Sequence, residues 1–256
     1  MYQHKRIRKN LTLFACDVMV MYIIIQKKQG VSMKKFNIAV VGATGMVGGK
    51  FLEVLTERNL PVENYYLFAS AKSAGKEIDF MGAPHTVIEL TEENVLALSG
   101  KIDFALFSAG AGVSREFAPI FVKAGATVVD NSSQWRMDED VPLVVPEVNP
   151  EDVKWNKGII ANPNCSTIQA VVALKPLKDA FGLKRVIYST YQAVSGAGVA
   201  GYTDLAEGVK GVTPKNSLTP SRTICFRTST CLWKTAIQRK SGRWLLRRAK
   251  FCTTKT

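Results

Sequence analysis

Short apolar runs alternate with amphipathic stretches through the middle of the chain. Residues 36–41 form an apolar, β-branched run, and the apolar positions 51, 52, 54 and 55 then repeat at helical spacing. Further strands are predicted at 103–108 and 127–130, with a helical stretch at 114–124 between them. Strands that alternate with helices in this way are typical of a parallel sheet. The pattern therefore predicts an α/β protein built on a doubly wound parallel sheet.

The first apolar run ends at a glycine-rich turn with the sequence Gly42-Ala43-Thr44-Gly45-Met46-Val47-Gly48. The three glycines allow a tight turn and a close approach of the backbone to a pyrophosphate, whose charge is stabilised at the start of the next helix. The spacing, G-x-x-G-x-x-G, is a variant of the usual fingerprint, and its place between a strand and a helix favours a dinucleotide site in a Rossmann-like domain. The predicted cofactor-binding residues of this turn are Gly42, Thr44, Gly45, Met46, Val47 and Gly48.

The second strand, predicted at 65–68, is followed by Ala69-Ser70-Ala71-Lys72-Ser73. NAD enzymes place an acidic side chain at this point to bind the ribose 2′-hydroxyl. Here a lysine and hydroxyl groups replace the carboxylate, which favours a 2′-phosphate and therefore NADP. Ser70, Lys72 and Ser73 are the predicted contacts, and the alternative is that Lys72 is a solvated loop residue.

Cys165 lies in the segment Asn162-Pro163-Asn164-Cys165-Ser166-Thr167, which leads into apolar residues at helical spacing. This pattern predicts that Cys165 lies at or next to the amino terminus of a helix. Such a position favours the thiolate, which is the nucleophilic form of cysteine. The alternative is an inert cysteine selected for its small size.

Four motifs together resemble the aspartate-semialdehyde dehydrogenase family. They are the glycine turn at 42–48, Asp130-Asn131-Ser132-Ser133-Gln134-Trp135-Arg136, the segment 162–167, and Tyr191-Gln192-Ala193-Val194-Ser195-Gly196. The resemblance extends over residues 33–212. It implies that Cys165 attacks aspartate semialdehyde, that hydride passes to NADP, and that phosphate cleaves the thioester to give aspartyl phosphate. It also implies a role in the biosynthesis of lysine, through diaminopimelate, and of threonine and methionine.

The resemblance also suggests roles for single residues and an oligomeric state. Arg136 is expected to bind the phosphate or acyl phosphate, because a planar guanidinium suits an oxyanion, although a surface ion pair with Asp138 is the alternative. Asn164 and Gln192 are expected to bind substrate, and Ser195 and Gly196 to pack against the nicotinamide. The family implies a homodimer or homotetramer, and no metal site is expected.

Two family features have no counterpart in this sequence. The family uses a histidine as acid and base and a second arginine for the substrate carboxylate, whereas this chain has only His4 and His85, and neither matches the family motif. His85 is predicted in a loop or at the start of a strand. Two alternatives therefore stay open. One is a catalytically inactive NADP-binding fragment. The other is an N-acetyl-glutamyl-phosphate reductase, a family whose cysteine motif resembles Pro-Gly-Cys where this chain has Pro163-Asn164-Cys165.

The charge is concentrated in two flanks. The net charge is +5 for residues 1–32, −3 for 33–212 and +11 for 213–256, so the basicity gives no reason to expect a nucleic-acid partner. Residues 1–32 imitate a signal peptide only poorly, because Asp17 interrupts their apolar run. They are expected to be a leader outside the enzyme, because Met33 follows a segment that resembles a translated ribosome-binding site. Residues 213–256 are expected to be an out-of-frame tail. No membrane span is expected, since the apolar run is too short.

The predicted organisation therefore has two parts between these flanks. An NADP-binding domain is expected over residues 33–163, and an incomplete mixed α/β catalytic and dimerisation domain is expected to begin at 164–212. Cys165 is the only cysteine of this central region. A single cysteine cannot form an internal disulfide, which favours a cytoplasmic location.

Overall fold

The structure, a computed structural model, describes residues 35–187 and 198–211, together with the backbone of strands at 237–240 and 243–246. The strands are β1 (Phe36–Val41), β2 (Val62–Ala69), β3 (Glu77–Phe80), β4 (Ala83–Thr86), β5 (Ile88–Glu89), β6 (Phe104–Phe107), β7 (Thr127–Asp130), β8 (Ile159–Ala161), β9 (Ile237–Lys240) and β10 (Arg243–Leu246). The α-helices are α1 (Met46–Arg58), α2 (Glu92–Leu96), α3 (Ala111–Lys123), α4 (Cys165–Phe181) and α5 (Gly198–Val209). Short 3-10 turns occur at Ala71–Ser73 and Pro150–Trp155.

The main sheet has the strand order β5-β2-β1-β6-β7-β8, and all its paired strands run parallel. The chain first moves outward from β1 through β2 to β5, and then crosses to the other side of β1 to form β6, β7 and β8. The order therefore reverses between β1 and β6, which is where open parallel sheets bind ligands, beyond the carboxyl ends of the strands. This topology confirms the predicted doubly wound α/β fold.

Both faces of the sheet are covered, which explains why the central strands are apolar throughout. On one face, Ile38 and Val40 of β1 belong to a cluster with Phe51 and Leu55 of α1. On the other face, Ala39 and Val41 belong to a cluster with Phe121 of α3. Successive side chains of a strand point to opposite faces, so one run of six residues contributes to both cores.

A small antiparallel hairpin, β3–β4, lies beside the main sheet. His85 is the third residue of β4 and pairs with Ile78, and its ring contacts the rings of Tyr65 and Phe80. The prediction of a loop or strand-start position for His85 is therefore wrong, because the aromatic contacts and the hairpin pairing hold it inside a strand. Burial of the Tyr65 hydroxyl raises the pKa of that residue to about 12.

The structure does not test three predictions about how the chain is divided. The leader at 1–32 lies outside the described residues, and within 213–256 the structure describes only the antiparallel pair β9–β10. The division into domains at 33–163 and 164–212 stays a prediction. In the described part of the chain, no helix combines the length and the apolar character that a membrane crossing requires.

Candidate active site at the carboxyl edge of the sheet

The glycine turn continues directly from β1. Gly42 has a φ of 86°, in the left-handed region that favours glycine, and its N–H donates to the carbonyl of Phe68 at 2.8 Å. The N–H of Gly45 closes the turn by donating to the carbonyl of Gly42 at 3.0 Å. Thr44, Gly45 and Met46 at the tip are exposed, and α1 begins at Met46. The predicted strand, turn and helix are confirmed, and the tip is accessible to a ligand.

Gly48 brings α1 into direct contact with this turn. A Cβ atom on Gly48 would lie 2.0 Å from the carbonyl oxygen of Gly42 and 2.8 Å from the Cα of Ala43. A Cβ on Gly42 would in turn meet Ser108 at 3.1 Å, at the end of β6. Only glycine permits this packing of helix against turn, which is the role of glycine in a dinucleotide fingerprint. The turn and its exposed tip therefore fit the pyrophosphate of a nicotinamide dinucleotide.

The residues predicted to select NADP lie next to the glycine turn. Ser70 precedes the 3-10 turn Ala71–Ser73, and the hydroxyl of Thr44 donates to the hydroxyl of Ser73 at 3.4 Å. Ser70 and Lys72 are exposed. The structure therefore brings Thr44, Ser70, Lys72 and Ser73 into one region at the ends of β1 and β2.

Cys165 is the first residue of α4, and its predicted position at a helix start is confirmed. The side-chain oxygen of Asn164, the N-cap residue, accepts a hydrogen bond from the backbone N–H of Ser166 at 3.0 Å. The thiol is half-buried and lies 4.0 Å from the hydroxyl of Ser166. Ile168, one turn later, packs against Val145 and anchors this end of the helix. Asn164 therefore fixes the helix start that presents the thiol.

Arg136 is attached to the backbone on both sides of the site. Its Nε donates to the carbonyl of Asn162 at 2.8 Å, and its Nη2 donates to the carbonyl of Asn131 at 2.8 Å. Asn131 follows β7 and Asn162 follows β8, so the guanidinium bridges the ends of neighbouring strands. Asn162 lies three residues before Cys165, which limits its Cα to about 11 Å from the cysteine Cα. The structure thus places a fixed cation near the candidate nucleophile.

Asp130, the last residue of β7, lies buried beneath this bridge. Burial raises the pKa of its carboxyl above the ordinary value of 3.8, while hydrogen bonds from Ser132 and Ser114 and the charge of Arg136 act in the opposite direction. The hydroxyl of Ser132 donates to its carboxylate at 2.6 Å. Ser114 also accepts a hydrogen bond from the indole N–H of Trp135 at 2.8 Å, which connects α3 to the loop that carries Arg136.

The described part of the site therefore has three components along one edge of the sheet: a glycine turn, a fixed guanidinium and a cysteine at a helix start. Such an arrangement can bind a dinucleotide and an oxyanion next to a nucleophile. Gln192, Ser195 and Gly196 lie outside the described residues. Asn131 and Asn162 were not among the predicted site residues, although they lie in the motifs at 130–136 and 162–167. Among the described residues, no group of three potential metal ligands occurs.

Comparison with known proteins identifies the family. The profile described as semialdehyde dehydrogenase, NAD binding domain, matches residues 37–156, and the profile described as semialdehyde dehydrogenase, dimerisation domain, matches 174–230. An aspartate-semialdehyde dehydrogenase from Aquifex aeolicus is 60% identical over 177 residues, which are 68% of this chain and 51% of that protein. The chain therefore spans about half the length of the curated relatives that it matches.

Solved structures give the same result. Aspartate semialdehyde dehydrogenase II from Vibrio cholerae matches with a TM-score of 0.63 and 47% identity, over 72% of this chain and 56% of that one. A Candida albicans aspartate semialdehyde dehydrogenase with NADP matches with a TM-score of 0.54 and 32% identity, over 68% of this chain and 55% of that one. On its sequence motifs, its sheet topology and these relatives, the chain belongs to the aspartate-semialdehyde dehydrogenase family.

Proposed function

We propose that the intact protein is an NADP-dependent phosphorylating aspartate-semialdehyde dehydrogenase with Cys165 as its nucleophile. The Cys165 thiolate adds to the aldehyde carbon and forms a C–S bond, which gives a thiohemiacetal. The glycine turn and Ser70, Lys72 and Ser73 would hold NADP, which would supply the hydride acceptor for that carbon. Loss of the hydride and of the hydroxyl proton, the latter to a base, would oxidise the carbon to a thioester. A phosphate oxygen then attacks the thioester carbon, the C–S bond breaks, and aspartyl phosphate leaves. In cells the reaction runs in the reverse direction.

The observation that carries the proposal is the position of Cys165 at the start of α4, near a guanidinium held on the Asn162 carbonyl. A helix start presents backbone N–H groups that favour negative charge, both on a thiolate and on the oxygen of the adduct. Arg136 supplies a cation suited to phosphate oxygens. Asn164 both caps the helix and lies beside the nucleophile, where it can contact substrate. The helix start and the Arg136 guanidinium therefore supply positive charge for the oxyanions that form when a thioester and an acyl phosphate interconvert.

NADP as the cofactor is supported by two observations. The exposed Lys72 and the hydroxyls of Ser70 and Ser73 lie at the end of β2, next to the glycine turn. The related Candida albicans enzyme was solved with NADP. For the part of the site outside the described residues, the motif resemblance supports Gln192 as a substrate-binding residue, and Ser195 and Gly196 as neighbours of the nicotinamide.

The wider role follows the same resemblance. We infer a cytoplasmic enzyme of lysine, threonine and methionine biosynthesis that acts as a homodimer or homotetramer, and the match to a dimerisation domain at 174–230 supports the oligomer. The rival assignment as N-acetyl-glutamyl-phosphate reductase is not favoured, because the curated relatives carry the aspartate-semialdehyde dehydrogenase name. An inactive NADP-binding fragment is the other alternative, and these relatives do not favour it either.

A single assay separates these candidates. The 256-residue chain is compared with a version that starts at Met33 and continues in the alternate reading frame after about residue 215. Phosphate-dependent NADP reduction with aspartate semialdehyde is expected only from the second protein. General acid/base help is worth about 10²–10⁴ in rate, and the 256-residue chain has no histidine that matches the family motif. Comparable turnover from the 256-residue chain would show that its final segment is genuine.

A further inference from the structure

Two asparagine side chains connect the segments that hold Arg136. The side-chain amide of Asn162 donates to the side-chain oxygen of Asn131 at 2.8 Å. The backbone carbonyls of the same two residues accept the two hydrogen bonds from Arg136. Asn162 is 1% exposed and Asn131 is half-buried, so the Asn162 side of this pair is shielded from water. One side-chain hydrogen bond therefore ties together the two carbonyls on which the guanidinium rests.

The geometry determines how the guanidinium is oriented. A guanidinium is planar and has two edges for paired hydrogen bonds, one formed by Nε and Nη2 and the other by Nη1 and Nη2. The Asn131 and Asn162 carbonyls bind the first edge. Two acceptors on the same edge restrict the rotation of the group as well as its position. The amide pair keeps the spacing of those acceptors constant, although they come from the ends of different strands.

We propose that Asn131 and Asn162 are positioning residues that hold the guanidinium of Arg136 in the orientation that binds a tetrahedral phosphate oxyanion beside Cys165. The proposal rests on the function proposed above. It adds that phosphate affinity depends on an amide pair that itself does not touch phosphate. Backbone hydrogen bonds connect the pair to the sheet edge. The N–H of Asn131 donates to the carbonyl of Phe107, and the N–H of Asn162 donates to the carbonyl of Asp130.

The test measures phosphate affinity directly on the 256-residue chain. Inorganic phosphate is titrated against chloride at equal ionic strength, and its protection of Cys165 from iodoacetamide is followed by mass spectrometry of the Cys165 peptide. Asn162→Ala and Asn131→Ala are each expected to weaken phosphate affinity about tenfold, because either change removes the same hydrogen bond. The double variant is expected to add little to either single change, as residues that act through one contact are not additive. Arg136→Ala is expected to abolish protection.

The chain contains a matched control. The side-chain amide of Asn64 donates to the side-chain oxygen of Asn37 at 2.9 Å, in a more exposed asparagine pair that joins β2 to the opposite, amino-terminal end of β1. Asn64→Ala is expected to leave phosphate affinity unchanged. NADP affinity, measured by fluorescence, is expected to survive in Asn131→Ala and Asn162→Ala, because the glycine turn does not depend on the amide pair.

Each outcome has a distinct meaning. Protection that is lost in Arg136→Ala but unchanged in both asparagine variants would overturn the positioning role and leave the proposed function intact. A parallel loss of phosphate and NADP affinity in Asn131→Ala and Asn162→Ala would also overturn it, since the pair would then support the whole sheet edge and not specifically the orientation of Arg136. If the unmodified chain shows no protection, or if Arg136→Ala retains it, the phosphate site at Arg136 fails, and the positioning role fails with it.

Discussion

A Cβ atom on Gly48 would lie 2.0 Å from the carbonyl oxygen of Gly42. The first turn of α1 therefore rests on the backbone of the glycine turn with no space for a side chain. Because the obstacle is a main-chain oxygen of the turn, it cannot move aside as a flexible side chain would. This contact sets how closely α1 approaches the turn at which a dinucleotide is proposed to bind.

Gly48→Ala is expected to destabilise the fold by about 1–3 kcal/mol, the usual range for overpacking, and to abolish NADP binding. Gly49→Ala is the matched control, because a Cβ on Gly49 meets nothing within 4 Å. Alanine in a helix is better than glycine by about 0.5–1 kcal/mol, so the control should be neutral or slightly stabilising. Urea unfolding and NADP fluorescence titration measure both effects. Equal behaviour of the two variants would contradict the packing argument.

Lys72→Ala is expected to weaken NADP binding about tenfold while leaving NADH binding unchanged, because only NADP has a 2′-phosphate for the ammonium group. Lys76→Ala, an exposed lysine beyond the 3-10 turn, is the control and should change neither affinity. Fluorescence titration of both cofactors provides the measurement. If the unmodified protein binds NADH as tightly as NADP, the assignment of NADP fails.

Asn164→Ala is expected to reduce the free energy of unfolding by about 1 kcal/mol, because it removes the cap of α4. Asn164→Asp keeps a capping oxygen and should preserve stability. If Cys165 reacts as proposed, the added negative charge beside its sulfur should slow iodoacetamide alkylation at neutral pH. The control is Thr91→Ala, which removes the equivalent cap of α2. It should cost similar stability without changing Cys165 alkylation. Unchanged alkylation in Asn164→Asp would argue against a reactive thiolate.

Asp130 gives a prediction about pH. Its folded pKa is raised above 3.8 by burial, so the folded state holds a proton more tightly than the unfolded state. The resulting stabilisation is complete below about 3.8 and is lost as the pH rises through the raised folded pKa. We therefore expect the free energy of unfolding of the unmodified protein, minus that of Asp130→Asn, to fall as the pH rises from 3. A difference that rises with pH would show that the carboxyl is held ionised instead.

The elements around β1 were predictable because their signals are local. The apolar run at Phe36–Val41, the glycine turn and the helix start at Cys165 each follow from neighbouring residues, and the structure confirms all three. The helix predicted at 114–124 begins earlier in the structure, at Ala111. The prediction missed this start because Gly110 and Gly112, on either side of it, are not recognisable start signals. The β3–β4 hairpin was missed for a related reason, since its four-residue strands are too short to show a period.

The contacts of Arg136 could not be predicted in this way. The sequence suggested an oxyanion ligand or a surface ion pair, whereas the structure shows the side chain bonded to the carbonyls of Asn131 and Asn162. Asn162 is 26 positions away along the chain and approaches only because β7 and β8 are neighbours in the sheet. Through-space contacts of this kind depend on strand order, which no local pattern encodes.

In the proposed mechanism, Cys165 carries the substrate as a thioester. The most direct measurement uses the protein that starts at Met33 and continues in the alternate reading frame after about residue 215. It is mixed with aspartate semialdehyde and NADP in the absence of phosphate, and the masses of the intact protein and of its peptides are followed. We predict one acyl adduct on the Cys165 peptide, formed together with one equivalent of NADPH and discharged when phosphate is added. The Cys165→Ser variant should form neither. NADPH formation without an adduct, or an adduct on another residue that phosphate discharges, would contradict the proposed chemistry.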